Sequence, residues 1–137
     1  MTRDSLLYDR ILERLADPRF DPHEFEVCVC DLLRDIYPRL VLVSGRRGRD
    51  CGMDGAIADG QGEAYPLVVT IQEDLRENLT TSLESQLRHG RTRRQVVLAT
   101  SREVSAAKRQ ALEEAARAKG FTLEQVYDRR AIADHLY

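Results

Sequence analysis

The chain has 137 residues, of which 42% are hydrophobic and 32% are charged, a composition that supports a folded core and excludes a disordered tail. No apolar run approaches the ~18–20 residues of a membrane-spanning helix, so the sequence predicts no transmembrane segment. The net charge of −2 provides no overall positive field, so any contact with nucleic acid has to come from local patches. The length favours one domain over residues 1–137, and the amino terminus lacks a signal-peptide pattern, which predicts a cytoplasmic location.

The amino-terminal half is predicted to form two helices and three strands. Apolar residues at helical spacing predict an amphipathic helix over 5–16. A second helix is predicted over 22–37, with Asp21 as its N-cap and Pro38 directly after it. Short turns join three predicted strands, which should therefore form an antiparallel meander. These strands cover 40–43, 53–58 and 65–72.

Helices and strands alternate in the second half. Leucines at every fourth position predict a helix over 75–89, which Gly90 ends. An apolar run predicts a buried strand over 95–99. The spacing of Thr100 and Glu103 indicates a capping box at the start of the next helix.

The chain closes with one more strand and one more helix. Gly120 ends the helix that follows the predicted capping box, and a strand over 121–126 and a helix over 129–137 come after it. Strands separated by helices need crossover connections. The predicted fold class is therefore α/β, a mixed sheet flanked by helices on both faces.

Polar side chains that suit metal-assisted chemistry gather around the predicted hairpin. Asp54 opens one strand, and Thr70 and Gln72 close the next strand on a shared face, because side chains alternate along a strand. Pairing of the two strands should bring these three side chains close together. Glu73 follows at the strand-to-helix junction, and Glu26 in the preceding helix is a further candidate for the same place.

Three stretches of the chain carry a family resemblance. They are Phe25-Glu26 in a helix, Gly48-Arg49-Asp50-Cys51-Gly52-Met53-Asp54-Gly55 in a turn, and Val68-Val69-Thr70-Ile71-Gln72 in a strand. Together they resemble the restriction-endonuclease-like fold and, within it, the Mrr-like branch of the PD-(D/E)XK nucleases. The core of that family is a helix, three strands, a helix and a strand (αβββαβ), which is the order predicted over 25–99.

The resemblance implies a metal-dependent nuclease that cuts phosphodiester bonds of DNA or RNA. It implies that Asp54 holds Mg²⁺ or Mn²⁺ and that the helix glutamate, Glu26, assists. In the family a Glu or Gln ligand, and a Lys two residues later, end the third strand. This chain has Thr70 and Gln72 there instead. Threonine is a poor Mg²⁺ ligand, and glutamine cannot carry the charge of lysine.

A shift of one residue would bring Glu73 into the site, if a bulge turns its side chain toward the metal. The resemblance then implies Asp54, Gln72 and Glu73 as catalytic residues. It implies Asp54, Glu26 and Glu73 as metal ligands. The alternative is a nuclease-fold module without catalysis that binds nucleic acid or protein. The missing lysine favours this alternative, since neither Lys108 nor Lys119 is expected near the site.

The same polar residues also have purely structural interpretations. Asp50 and Asp54 lie in a glycine-rich turn and could make turn hydrogen bonds. Glu26 could be a solvated residue on the surface of its helix. Asp74 directly precedes Leu75 and is a good N-cap for the helix that begins there.

Two groups of arginines are candidate contacts to nucleic acid, because the guanidinium group suits phosphate. The first group, in the turn before Asp54, is Arg46, Arg47 and Arg49, and the second is Arg91, Arg93 and Arg94. If both groups border one edge of the sheet, they would hold a nucleic-acid backbone, with DNA favoured over RNA. The alternative is a solvated arginine-rich rim.

The last twelve residues resemble the closing strand and helix of such domains at the amino terminus of larger bacterial proteins. Those proteins often belong to NTPase-linked antiviral defence systems. This resemblance implies a cytoplasmic defence effector. Its expected partners are a downstream NTPase domain in a longer parent chain or a second copy of the domain.

Overall fold

A computed structural model describes residues 13, 22–42, 55–60, 62–71 and 73–136. Within these residues four helices and five strands are seen. In chain order they are α1 (Pro22–Leu33), β1 (Val41–Leu42), β2 (Gly55–Ile57), β3 (Tyr65–Thr70), α2 (Leu75–Arg88), β4 (Gln95–Thr100), α3 (Ala106–Ala118), β5 (Thr122–Tyr127) and α4 (Arg129–Leu136). The helix predicted over 5–16 lies, except for residue 13, outside the described residues.

The five strands form one mixed sheet in the order β1-β2-β3-β4-β5. The β1–β2 and β2–β3 pairs are antiparallel, which confirms the predicted meander. The β3–β4 and β4–β5 pairs are parallel, as the alternation of strands and helices predicts. Along the middle of the sheet, Gly55 pairs with Leu67 and Leu67 pairs with Val97. The α/β class is therefore confirmed.

Helices cover both faces of the sheet because β3 and β4 carry apolar side chains in both directions. Leu67 and Val69 of β3 pack into a cluster with α1 and α4, while Val68 packs into a second cluster with α2 and α3. Both crossover helices, α2 and α3, lie on the same face. The chain then leaves β5 toward the opposite face, where α4 joins α1.

The turn after α1 and the end of β5 meet on the α1–α4 face. The Tyr37 hydroxyl, in the turn after α1, hydrogen-bonds the Tyr127 hydroxyl at the end of β5 at 3.1 Å. The two rings are perpendicular, with centroids 6.4 Å apart. Burial, followed by this hydrogen bond, raises the pKa of Tyr37 above its usual range. The Tyr37 hydroxyl therefore remains protonated and able to hydrogen-bond at neutral pH.

Helix α2 begins and ends where local chemistry predicts. The Asp74 carboxylate accepts a hydrogen bond from the Glu77 backbone N–H at 3.0 Å, so the N-cap interpretation of Asp74 is confirmed. Gly90, just past the C-cap, has φ of +69°, a conformation that glycine adopts at no steric cost.

The predicted capping box at Thr100 and Glu103 is wrong. Thr100 is the last residue of β4, where it pairs with Thr70 of β3, and its hydroxyl accepts a hydrogen bond from the Arg102 N–H at 3.1 Å. Ser105 is the N-cap of α3 instead, accepting from the Lys108 N–H at 3.2 Å. Because Thr100 belongs to β4, it is not the N-cap, and the helix begins only after a connection over 101–104.

The first described helix is also shorter than predicted. Helix α1 ends at Leu33 rather than near residue 37, because the chain turns there, with the Ile36 N–H donating to the Leu33 carbonyl at 2.9 Å. None of the described helices is both long enough and apolar enough to cross a membrane.

The leucine series of α2 provides a matched stability test. Leu83 is completely buried, whereas Leu87, one turn later, is 40% exposed. Leu83→Ala should lower the free energy of unfolding by about 2–5 kcal/mol, since it removes packed methyl groups and leaves a cavity. Leu87→Ala should cost less than about 1 kcal/mol. Urea denaturation of both variants measures this, and equal losses would contradict the placement of α2.

Candidate functional site

The sequence-predicted site residues divide into described and undescribed ones. Glu73 follows β3 and is exposed, and Glu26 lies half-buried in α1. Because α1 and α2 pack on opposite faces of the sheet, these two glutamates come from different layers. Five predicted site residues lie outside the described residues, and nothing in the structure tests their roles. They are Asp54, Gln72, Arg46, Arg47 and Arg49.

Thr70 occupies the position where the family resemblance implies a carboxylate or amide ligand. Strand alternation places its side chain on the face of Val68, toward α2 and α3. Only 7% of Thr70 is exposed, and its strand partner on β4 is Thr100. The position therefore contributes a buried hydroxyl to the end of β3.

Glu73 lies in a small pocket between the first turns of α2 and α3. The pocket has a volume of about 170 Å³ and is lined by Glu73, Asp74, Leu75, Arg76, Lys108, Ala111 and Leu112. The expectation that neither lysine lies near the site is thus wrong for Lys108. Helix α2 and strand β4 separate the two residues in sequence, and the β3–β4 pairing together with the packing of α2 against α3 brings them together.

A second cleft lies at the carboxyl ends of β4 and β5. Because β4 leads to α3 on one face and β5 leads to α4 on the other, the two connections separate and leave an opening between them. This switch cleft has a volume of about 500 Å³. It is lined by Glu103, Val104, Ser105, Lys108, Asp128 and Arg130. In open α/β sheets, ligands bind in crevices outside the carboxyl ends of the strands.

Asp128 fixes the shape of the switch cleft. Its Oδ2 accepts a hydrogen bond from the Val104 N–H at 3.1 Å, and its Oδ1 accepts one from the Ala131 N–H at 3.0 Å. The Arg129 N–H also donates to the Arg102 carbonyl at 2.9 Å. One carboxylate therefore joins the loop before α3 to the first turn of α4.

Cations surround this cleft. Glu103 lies 3.5 Å from the Arg129 guanidinium and 3.8 Å from that of Arg130, and the Arg130 side chain is 72% exposed. The Arg102 Nε donates to the Ile71 carbonyl at 3.0 Å, which places Arg102 beside the end of β3. Lys108 is exposed. Sequence reasoning did not single out Arg102, Arg129 or Arg130, and the only signal for Lys108 was the scarcity of lysine.

The second predicted arginine group lies at the other end of the sheet, before β4. Arg93 binds both oxygens of Asp59, at 2.9 and 2.7 Å, and lies over the Tyr65 ring at 5.1 Å. Hydrogen bonding to Asp59 raises the pKa of the Arg93 guanidinium. Arg94 lies over the Phe121 ring at 5.2 Å and donates to the Arg91 carbonyl at 2.7 Å. The structure therefore does not bring Arg91, Arg93 and Arg94 to the edge where Glu73 lies.

Glu63 holds the segment before β4 in place. Its Oε1 accepts hydrogen bonds from the N–H and hydroxyl of Thr92 and, at 3.2 Å, from the Arg93 N–H. Backbone hydrogen bonding from Thr92, and then from Arg93, lowers the pKa of Glu63. The charged form of Glu63 is therefore stabilised by folding.

Metal-ligating side chains are dispersed over the described part of the chain. There, no group of three or more His, Cys, Asp or Glu side chains lies close enough to hold a metal ion. Comparison with known proteins found no matching family model, no matching curated protein and no matching solved structure.

The Asp128 contacts predict a stability effect. Asp128→Ala removes two hydrogen bonds from backbone N–H groups, one of them in the first turn of α4, and should lower the free energy of unfolding by about 1–3 kcal/mol. Asp35→Ala, at an exposed position after α1, should have an effect of less than about 0.5 kcal/mol. Thermal or urea denaturation measures both, and a neutral Asp128→Ala would contradict the assigned contacts.

Glu63 predicts a pH dependence. Its pKa in the folded state lies below the unfolded value of about 4.3, so its ionised form stabilises the protein above that value. This contribution is lost as the pH falls through the folded-state pKa. The wild type should therefore exceed Glu63→Gln in stability at pH 7, and the gap should shrink below about pH 4. Urea denaturation across pH measures the gap, with Glu114→Gln on α3 as control. A gap independent of pH would contradict the assignment.

Proposed function

We propose that this chain is a metal-dependent nuclease-like domain that acts on the phosphodiester bonds of DNA or RNA. The observation that carries the proposal is the position of Glu73 at the carboxyl end of β3, in one pocket with Lys108. The described order from α1 to β4, a helix, three strands, a helix and a strand, supports it, since the resemblance implies that order. Lys108 brings a positive charge to a site in which Gln72 replaces the expected lysine.

The proposed ligands of Mg²⁺ or Mn²⁺ are Asp54 and Glu73, with Gln72 as a further polar group of the site. Glu26, which the resemblance also implies as a ligand, comes from the α1 layer on the opposite face and is not needed for this pair. Asp54 directly precedes Gly55, the first residue of β2, and Gly55 pairs with Leu67 in β3. Carboxylate and amide oxygens are the hard donors that these cations prefer. A bound ion would supply charge stabilisation at the phosphate and a more acidic water molecule.

The decisive experiment compares cleavage by the wild type and by Asp54→Asn. Plasmid DNA, single-stranded DNA and RNA are incubated with Mg²⁺ or Mn²⁺. We expect divalent-ion-dependent cleavage that falls by about 10²-fold or more in the variant, because a lost metal ligand removes several kcal/mol of transition-state stabilisation. Glu73→Gln should also reduce the rate, whereas Asp35→Asn and Glu114→Gln should not.

Equal cleavage by the wild type and Asp54→Asn would contradict the proposed site. Cleavage that persists in excess EDTA would contradict the metal dependence. Binding isotherms with Mn²⁺ provide a second readout, in which the wild type should bind Mn²⁺ more tightly than Asp54→Asn.

A second candidate function is a nuclease-fold module that binds nucleic acid without cutting it. The buried Thr70 favours this candidate, because a threonine hydroxyl stands where the resemblance implies a metal ligand. It predicts nucleic-acid binding without cleavage by either protein. The role of defence effector beside an NTPase domain belongs to the first proposal and is supported only by the resemblance of the last twelve residues.

A further inference from the structure

Lys108 connects the two openings at the carboxyl edge of the sheet. It lines the Glu73 pocket on one side and the switch cleft on the other. An extended ligand along the carboxyl ends of the strands would therefore contact both openings, from Glu73 to the ends of β4 and β5. An extended polymer fits such a path better than a compact ligand, which would occupy one opening.

The charge at the ends of β4 and β5 is positive, whereas the Glu73 pocket adds two acids, Glu73 and Asp74, and one cation, Arg76. Residues 101–108 and 128–130 contain four cationic side chains and two acidic ones. Asp128 already accepts hydrogen bonds from two backbone N–H groups, and Glu103 already contacts Arg129 and Arg130. Both acids are thus partly neutralised, while Lys108 and Arg130 remain exposed.

The positions of these cations run against helix electrostatics. Helices α3 and α4 both begin at this edge, and neither has an acidic residue in its first turn. Lys108 lies in the first turn of α3, and Arg129 and Arg130 open α4. A helix amino terminus repels cations and attracts anions. Glu103 offsets this repulsion for Arg129 and Arg130, and Asp128 places one negative charge at the start of α4, but no such contact accounts for Lys108. A bound anion would interact favourably with Lys108 and with the amino terminus of α3.

The cations at the amino ends of β4 and β5 provide a contrast. There Arg93 is held by Asp59, and Arg94 is packed over Phe121. Lys119, the other lysine, pairs with Glu84 at 2.9 Å. These cations contact the protein itself, as do Arg102 with the Ile71 carbonyl and Arg130 with Glu103 at the carboxyl edge, but Arg130 keeps 72% of its side chain exposed, against 14% for Arg93.

We propose that Arg102, Lys108 and Arg130 form a phosphate-binding surface for the backbone of a nucleic acid, running from the Glu73 pocket along the ends of β4 and β5. The proposal rests on the proposed function, because it assumes that the substrate is a nucleic acid. In this proposal the nucleic-acid backbone contacts this surface and not Arg91, Arg93 and Arg94. Phosphate contacts of this kind fix the position of a strand without reading its sequence.

The test measures binding of a fluorescent 20-base-pair DNA duplex, and of an RNA of equal length, in EDTA. Lys108→Gln, Arg102→Gln and Arg130→Gln should each weaken binding by about 3- to 10-fold at 0.1 M salt. Each should lower the slope of log affinity against log salt by about one, because one phosphate contact is lost. Lys119→Gln and Arg94→Gln are the matched controls and should bind like the wild type. Melting temperatures within a few degrees of the wild type show that each variant is folded.

Two results would overturn the surface. One is unchanged binding by Lys108→Gln and Arg130→Gln, and the other is an equal loss in Arg94→Gln. Displacement of the duplex by a mononucleotide at matched phosphate concentration would assign the cleft to a free phosphate ligand and would also overturn it.

The outcomes separate this proposal from the function. Because binding is measured without metal, loss of cleavage in Asp54→Asn with unchanged affinity supports the function, and it supports both proposals when the three surface substitutions also weaken binding. Cleavage by the wild type with binding insensitive to the three substitutions overturns the surface alone. A wild type that neither binds nor cleaves any of the nucleic acids overturns both.

Discussion

Strands β3 and β4 are buried on both faces, and this double burial determines the arrangement of every other element. Leu67 and Val97 face the cluster of α1 and α4, whereas Val68 and Leu98 face the cluster of α2 and α3. A parallel pair with apolar side chains on both sides needs helices on both faces. Once α2 and α3 fill one face, the helix after β5 has to cover the other. The switch cleft between β4 and β5 follows from this change of face.

The arginines at the amino ends of the strands and those at the carboxyl ends have different environments. At the start of β4, Asp59 and Glu63 hold Arg93 and its neighbours, so that their charges stabilise the turn between β2 and β3. At the carboxyl edge, Arg130 keeps most of its surface exposed despite its contact with Glu103. Arginines that look alike in sequence therefore have different environments, and counting them does not locate a surface.

Interactions between residues close in sequence made much of the fold predictable. Asp74 caps α2 and Gly90 ends it because these residues act on their own neighbours. The start of α3 was not predictable in the same way, since the extension of β4 to Thr100 depends on pairing with β3. For the same reason the sequence did not reveal Lys108 beside Glu73. Part of the predicted site, including Asp54 and Gln72, lies outside the described residues, so its roles stay predictions.

The strand order has a consequence for the kinetics of folding. Each strand pairs with the strand that follows it in sequence. Each pairing therefore closes a short loop, which contains either a single connecting segment or one helix with its two turns. Short loops lose little chain entropy on closure, and such topologies fold quickly. The Tyr37–Tyr127 hydrogen bond joins residues 90 positions apart. We therefore expect the parallel strands with α2 and α3 to assemble first, and the docking of α1 against β5 and α4 to be the slow, closing step.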